Sequence, residues 1–120
     1  GAAFCASVEK TGDILHYADE GQITQILINL IKNATEADAG RIEITAEINL
    51  SEHVIINVFN DGRAISKESR EEIFVPFFTT KQEGTGIGLS LSRQIMRLHN
   101  GTLTLTQSDE NGTIFTLIFR

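Results

Sequence analysis

Residues 22 to 49, "QITQILINLIKNATEADAGRIEITAEIN", change their apolar period midway, and that change decides the fold. The segment from Gln22 to Asp38 carries apolar residues at 23, 26, 27, 30, 31 and 34. This i, i+3, i+4 spacing predicts a helix with one face on a core, and Gly40 offers it a C-terminal stop. From Arg41 to Asn49 the period drops to two, so that Ile42, Ile44, Ala46 and Ile48 share one face of a strand. A helix with one apolar stripe and a strand with one apolar face can cover each other, which predicts helices layered on a sheet.

The flanking segments extend both layers. "VIINVF" (54 to 59) follows a short polar turn and reads as an antiparallel neighbour of the first strand. A short helix is expected from Ser66 or Ser69, because "SREE" has the Ser-x-x-Glu capping spacing with Ile73 and Phe74 behind it, and Pro76 ends it. "IGLSLSRQIMRLHNG" (87 to 101) predicts a helix burying Ile87, Leu91, Ile95 and Leu98 and closing at Asn100 and Gly101. "TLTLT" (102 to 106) and "TIFTLIF" (113 to 119) form a final hairpin around "SDENG". An early strand pair near residues 4 to 8 and 14 to 17 is less strongly patterned. The expected class is α+β: one domain over 1–120, a two-layer sandwich of about three helices on a mixed, mostly antiparallel sheet.

Composition narrows the function. A chain of 120 residues, 41% hydrophobic, suits one core and one site. A net charge of -6 argues against nonspecific attraction to nucleic acid or an anionic membrane, while leaving room for a local phosphate site. The single cysteine, Cys5, can make neither an internal disulfide nor a zinc cluster, which favours a reducing, cytoplasmic setting. No run of eighteen apolar residues and no signal peptide occurs, and a start at Gly1 reads as an excised fragment.

Three constellations can carry chemistry. On the first helix, Gln22, Gln25, Asn29, Asn33 and Glu36 form one narrow polar stripe. Mid-helix Asn is unfavourable because its amide competes for backbone partners, so two of them one turn apart need an offsetting role. An Asn carbonyl oxygen suits Mg²⁺, which takes one or two protein oxygens and completes its shell with water and phosphate. Spacing alone leaves the ligand-binding and the solvated face both open. In "KQEGTGIGLSLS" (81 to 92), Gly84, Gly86 and Gly88 lead into a helix whose first free N–H groups can hold an anion. The pattern is neither the dinucleotide G-x-G-x-x-G after a strand nor a P-loop. Thr79, Thr80 and Lys81 add donors, although glycines before a helix are also common as a plain loop and cap. In "VFNDGRAIS" (58 to 66) no returning strand follows, so the chain turns away from the sheet. Asn60 and Asp61 are either turn formers, with Gly62 at positive φ, or Asn60 aims its amide at a purine edge.

In this order and spacing the segments resemble the catalytic ATP-binding domain of sensor histidine kinases, in the Bergerat or GHKL superfamily. "NLIKNATEA" is similar to the N box, "NDGRAIS" to a variant G1 box, "IFVPFFTTK" to the F box and "GTGIGLSLS" to the G2 box. The resemblance runs from about Ile14 to Phe119. It implies the Bergerat fold, an adenine pocket between helices and sheet, and a short lid between the F and G2 boxes. It also implies that Asn33 ligates Mg²⁺ and that Asn29 lines the phosphate end. Hydrolytic relatives carry a glutamate at the Asn29 position, and an amide cannot take a proton at neutral pH, so Asn29 favours phosphoryl transfer over hydrolysis. Lys81 is the expected catalytic cation, because Glu36 and Ala37 stand where many members have phosphate-contacting residues.

The resemblance further implies that Asn60 replaces the usual adenine-binding acid, that Ala64 replaces a second glycine, and that Gly62 stays obligatory and Ile65 packs near the base. Phe78, Thr79, Thr80 and Lys81 are expected around the nucleotide. Gly84, Thr85, Gly86, Ile87, Gly88, Leu89 and Ser90 belong to the phosphate loop, and Thr113 or Thr116 lies near adenine. None of His16, His53 and His99 has a phosphoacceptor context, so that histidine is expected on a separate dimerisation domain of the same protein, with a response regulator downstream. The full-length protein is of the kind often anchored in a membrane. Two alternatives share the fold, an anti-sigma-factor-type serine kinase and a degenerate module that binds no nucleotide.

Overall fold

The computed structural model describes residues 3–8, 20–75 and 88–120. In chain order they form strand β1 (Ala3–Val8), helix α1 (Glu20–Glu36), strands β2 (Arg41–Ile48) and β3 (Val54–Asn60), two 3₁₀ turns (Lys67–Ser69 and Glu72–Phe74), helix α2 (Gly88–Leu98), and strands β4 (Gly101–Asp109) and β5 (Gly112–Phe119). The five strands make one sheet in the order β1-β2-β3-β5-β4. β1 lies parallel to β2 and every other pairing is antiparallel. The expected α+β sandwich with a mixed sheet is therefore present. Of the early strand pair, β1 is seen, and residues 14 to 17 lie outside the described residues.

The period-two pattern sets the register. Ile42, Ile44 and Ala46 stand opposite Asn60, Val58 and Ile56, and these in turn oppose Thr113, Phe115 and Leu117 of β5. Each row is buried and faces the helices, so the core is a grid of three strands under two helices. Ile23, Ile26 and Leu30 of α1 press on it with Ile95 and Met96 of α2. Each such side chain contributes about 1.5–3 kcal/mol by leaving water.

α1 starts two residues before the expected Gln22 and ends at Glu36. Its stop is not Gly40. Asp38 takes the left-handed conformation (φ 61°), with Ala39 N–H donating to Ala34 O at 3.1 Å and Asp38 N–H to Thr35 O at 3.0 Å. That is the paired C-terminal motif usually closed by glycine. Gly40 instead donates its N–H to Asp61 Oδ1 at 2.7 Å.

The helix expected from Ser66 or Ser69 resolves into the two 3₁₀ turns. The Ser66 hydroxyl donates to Ser69 Oγ at 3.0 Å and makes no cap to the backbone. Only Ile73 and Phe74 are apolar between residues 66 and 74, too few to repay helix nucleation over so short a span. The segment is pinned by side chains instead. Arg70 Nη2 donates to Ser108 O. Phe74 lies edge-on to Phe115, ring centres 6.3 Å apart, with the Arg93 guanidinium of α2 4.0 Å from its own ring centre.

α2 is rotated from its expected face. Ser92, Ile95 and Met96 point inward, whereas Leu91 is 42% exposed and Leu98 72% exposed. A small hydroxyl residue one turn after Gly88 lets α2 approach α1 closely, and Ser92 is fully buried there.

Candidate functional site

The C-terminal end of β3 is where the layers part. Beyond Asn60 the chain leaves the sheet, crosses the end of α1 and enters the 3₁₀ turns, so three elements surround one gap. A cavity of about 240 Å³ lies there, lined by Asn33 of α1, Ala37 just beyond it, Asn60 of β3, Arg63 to Ser66, Ser69, Ile73, and Thr113 of β5. Its floor is polar although buried: Asn60 is 3% exposed and Thr113 2%.

Asn60 and Asp61 divide the work of the turn. Asn60 Oδ1 accepts the Gly62 N–H at 2.8 Å, which fixes the amide orientation, since a flip would set NH₂ against N–H. The Nδ2 group makes no hydrogen bond among the described residues, on a side chain that lines the cavity. Asp61 faces the other way. Its Oδ1 accepts from Gly40 N–H at 2.7 Å and Arg41 N–H at 2.8 Å, and its own N–H donates to Arg41 O at 3.2 Å. The acid is thus a brace between the start of β2 and the turn, and the amide is left for the cavity.

Gly62 is required, though not for positive φ. Its backbone lies outside the left-handed region, and what excludes a side chain is close approach. A Cβ there would lie 2.7 Å from Ala37 O, 2.9 Å from Ala37 Cβ and 3.0 Å from Asn60 Oδ1. Arg63 secures the same junction: its N–H donates to Ala37 O at 2.9 Å, its Nη2 to Glu36 O at 2.9 Å, and its Nη1 pairs with Asp38. Ala64 avoids positive φ as well, so its methyl group is tolerated. Ile65 lines the cavity and packs on the core, with its N–H donated to Ser108 Oγ at 2.7 Å. Ser108 and Thr113 share a hydrogen bond of 2.8 Å, so a row of hydroxyls continues the polar floor.

The two asparagines of α1 differ. Asn33 lines the cavity, and its side chain has no hydrogen bond among the described residues. Asn29 is engaged with its neighbours: Gln25 Nε2 donates to its Oδ1 at 3.1 Å, while its Nδ2 donates to Ser92 Oγ at 3.0 Å and Gly88 O at 3.2 Å. Glu36 is half-buried at the end of α1.

Among the expected site residues, Asn33, Asn60, Ala64, Ile65 and Thr113 surround one cavity and Gly62 supports it. Thr116 sits on the opposite face of the sheet, donating to Asn57 Oδ1 at 2.7 Å. Asn29, Gly88, Leu89 and Ser90 lie at the α1–α2 junction. Phe78, Thr79, Thr80, Lys81, Gly84, Thr85, Gly86 and Ile87 lie outside the described residues. Sequence reasoning overlooked Ser66, Ser69, Ile73 and Ser92. Only Ser92 carried a signal, as a small residue four positions after Gly88.

His99 Nε2 pairs with Gln22 Oε1, which gives that imidazole a structural place, and the backbone N–H of His53 donates to Asn49 Oδ1 at 2.9 Å in the turn before β3. His16 lies outside the described residues. Among those residues no three His, Cys, Asp or Glu side chains group as a metal site, and no helix is long and apolar enough to cross a membrane. Mg²⁺ fits the donor set in another way. The Asn33 side chain, without a hydrogen bond among the described residues and beside the cavity, could offer one of the one or two protein oxygens that this ion takes when phosphates and water supply the rest.

Residues 18–120 match the model of the family described as histidine kinase-, DNA gyrase B- and HSP90-like ATPases. Sensor histidine kinase ZraS of Salmonella typhimurium is 37% identical over 102 residues, 83% of this chain and 22% of that protein. Sporulation kinase E of Bacillus subtilis is 34% identical over 101 residues, 82% of this chain and 14% of that protein. The chain thus spans less than a quarter of the length of these relatives. Among solved structures, the nucleotide-free catalytic domain of histidine kinase ThkA superposes with a TM-score of 0.80 at 35% identity, covering 98% of this chain and 78% of that one. The same kinase in complex with the response regulator TrrA gives a TM-score of 0.72 at 34% identity, covering 98% and 34%. The chain belongs to the histidine kinase-, DNA gyrase B- and HSP90-like ATPase family, as an ATPase domain of the sensor histidine kinase kind.

Proposed function

We propose that this chain binds Mg-ATP and, within a longer protein, presents the γ-phosphoryl group to a histidine on a separate dimerisation domain, from which a response regulator is charged. The observation that carries the reading is the Asn60 NH₂ group, without a hydrogen bond among the described residues, on the floor of a cavity whose wall holds Asn33. Asn60 Oδ1 keeps a second lone pair for the adenine amino group, and its NH₂ serves the adjacent ring nitrogen. Thr113 and the Ser108 hydroxyl extend the polar edge, and Ile65 and Ile73 offer apolar contact to the ring faces.

With the base at Asn60, the phosphates would run along α1 past Asn33 towards the first turn of α2, whose N-terminal end favours an anion. Asn33 would hold Mg²⁺, which when bound offsets phosphate charge. In the transfer itself the bond from the γ-phosphorus to the bridging oxygen breaks, a phosphorus–nitrogen bond forms on the acceptor histidine, and ADP leaves. Positioning and charge stabilisation dominate such a step, so this chain alone should bind nucleotide without phosphorylating itself. The ThkA–TrrA complex supports the response regulator as the downstream partner.

Calorimetric titration tests the reading. The wild-type chain should bind ATP with Mg²⁺, and Asn33→Ala should weaken Mg-ATP more than metal-free ADP. Equal losses would remove Asn33 from the metal, and no heat together with no thermal shift at millimolar nucleotide would remove the function.

A further inference from the structure

The floor of the cavity is an edge rich in protons. Asn60 and Thr113 stand opposite one another on β3 and β5, both line the cavity, and both are almost wholly buried. Asn60 Oδ1 is held by the Gly62 N–H at 2.8 Å, and the NH₂ group, without a hydrogen bond among the described residues, has two protons to give.

Thr113 adds a third proton, and Ser108 decides this. An irregularity in β4 between Leu105 and Gln107 turns Ser108 inward in place of Gln107. Ser108 Oγ accepts the Ile65 N–H at 2.7 Å and lies 2.8 Å from Thr113 Oγ1, a pair in which either hydroxyl can donate. The Ser108 hydroxyl is buried and has no other partner among the described residues. If Thr113 donated, the Ser108 proton would be buried without an acceptor, the costly arrangement for a hydroxyl. Ser108 therefore donates, and the Thr113 proton is left for the cavity.

We infer that this site reads the 6-position of a purine through a donor edge and accepts a 6-oxopurine nucleoside triphosphate alongside ATP. The inference rests on the nucleotide reading above. The floor offers two protons on Asn60 Nδ2 and one on Thr113, against one remaining lone pair on Asn60 Oδ1. Adenine brings to such an edge a ring nitrogen with one lone pair and an amino group that only donates. A 6-oxopurine brings a carbonyl oxygen with two lone pairs and one ring N–H, which matches the floor more closely. A carboxylate at position 60 would reverse the preference. It keeps one oxygen for the Gly62 N–H and turns a second on the cavity, where it opposes a 6-oxo group and accepts from a 6-amino group. Asn60 thus determines specificity, and Ser108 is a positioning residue that acts through Thr113.

The test reads dissociation constants of the intact chain by calorimetry with Mg²⁺, using ATP, inosine triphosphate and purine riboside triphosphate, which carries no group at position 6. Wild type should bind ATP and inosine triphosphate within about fivefold of each other, and both about threefold or more tighter than the purine riboside analogue. Asn60→Asp, read at about pH 8, above the usual carboxylate range, should move the ratio about tenfold or more towards ATP. Thr113→Val, close in shape but without the proton, should weaken inosine triphosphate about threefold or more and ATP by less. Inosine triphosphate bound more than about fivefold weaker than ATP by wild type would overturn the inference and leave the ATP reading standing. Equal binding of all three ligands would show that the 6-position is not read, and overturn it too. So would an ATP to inosine triphosphate ratio left unmoved by either variant. Should Asn60→Asp not fold, the ratio for Thr113→Val decides alone. A wild-type chain that binds none of the three refutes the nucleotide reading itself.

Discussion

Gly62→Ala is the sharpest test of how the site is held. The added methyl carbon would sit 2.7 Å from the Ala37 carbonyl oxygen, 2.9 Å from Ala37 Cβ and 3.0 Å from Asn60 Oδ1. Two of these are parts of the backbone or rigidly attached to it, so no flexible side chain can swing aside. The turn must lift off the end of α1, and overpacking of this kind costs about 1–3 kcal/mol. The shift also lengthens Arg63 N–H to Ala37 O, now 2.9 Å, and Gly62 N–H to Asn60 Oδ1, now 2.8 Å, each worth about 0.5–1.5 kcal/mol. Because the two bonds are lengthened and not broken, only part of their worth is lost, and a loss of about 2–4 kcal/mol follows, a large share of the roughly 5–15 kcal/mol that holds a domain folded. At about 4 °C per kcal/mol for a chain of this length, the melting temperature should fall by about 8–16 °C. Urea unfolding followed by circular dichroism measures the difference. Ala64→Gly two residues on is the control, because Ala64 is exposed with no positive φ, and it should cost less than about 1 kcal/mol. A Gly62→Ala midpoint indistinguishable from wild type would refute the close-approach argument.

Other outcomes follow from the same geometry. Asp61→Ala strips the acceptor from the Gly40 and Arg41 N–H groups and should lower stability by about 1–2 kcal/mol in chemical denaturation, while Asn60→Leu should abolish adenosine binding and leave the Asp61 brace intact. If Asp61→Ala removed binding at unchanged stability, the two roles would be reversed. Ile95→Ala should cost about 2–5 kcal/mol, and Leu98→Ala, at a site 72% exposed, should stay within about 0.5 kcal/mol. Equal effects would mean that α2 faces the way its sequence period suggests.

Where side chains repeat at a fixed period, the sequence was enough to read the architecture. Ile42, Ile44 and Ala46 announce a strand face, and Ile23, Ile26 and Leu30 a helix stripe, because burial selects the same residue types at each repeat. Reading failed where a specific polar contact outranked the period. Ser92 displaced Leu91 and Leu98 from the interface because only a small hydroxyl residue meets both Asn29 and Gly88. Asp38 took the left-handed position that Gly40 was expected to serve, since the glycine N–H was claimed by Asp61. The 66 to 74 segment kept a capping spacing without the apolar residues to hold a helix, and Arg70 and Phe74 anchored it from outside. At the site, Asn60, Gly62, Ala64, Ile65 and Thr113 were accessible to motif reasoning, but the serines and Ile73 across the cavity were not, because they belong to no repeated pattern.

The row Ile42, Asn60, Thr113 is the last rung of the three central strands. Asn60 is thus clamped at backbone level from both sides, while its side chain alone faces the gap. For protein engineering this separates frame from reagent. The strand backbone at position 60 should stay in place under exchange of the amide, while only side chains that keep an acceptor preserve the bond from the Gly62 N–H. A library at position 60 alone, read against a panel of purine analogues, would therefore survey base preference on a nearly constant scaffold.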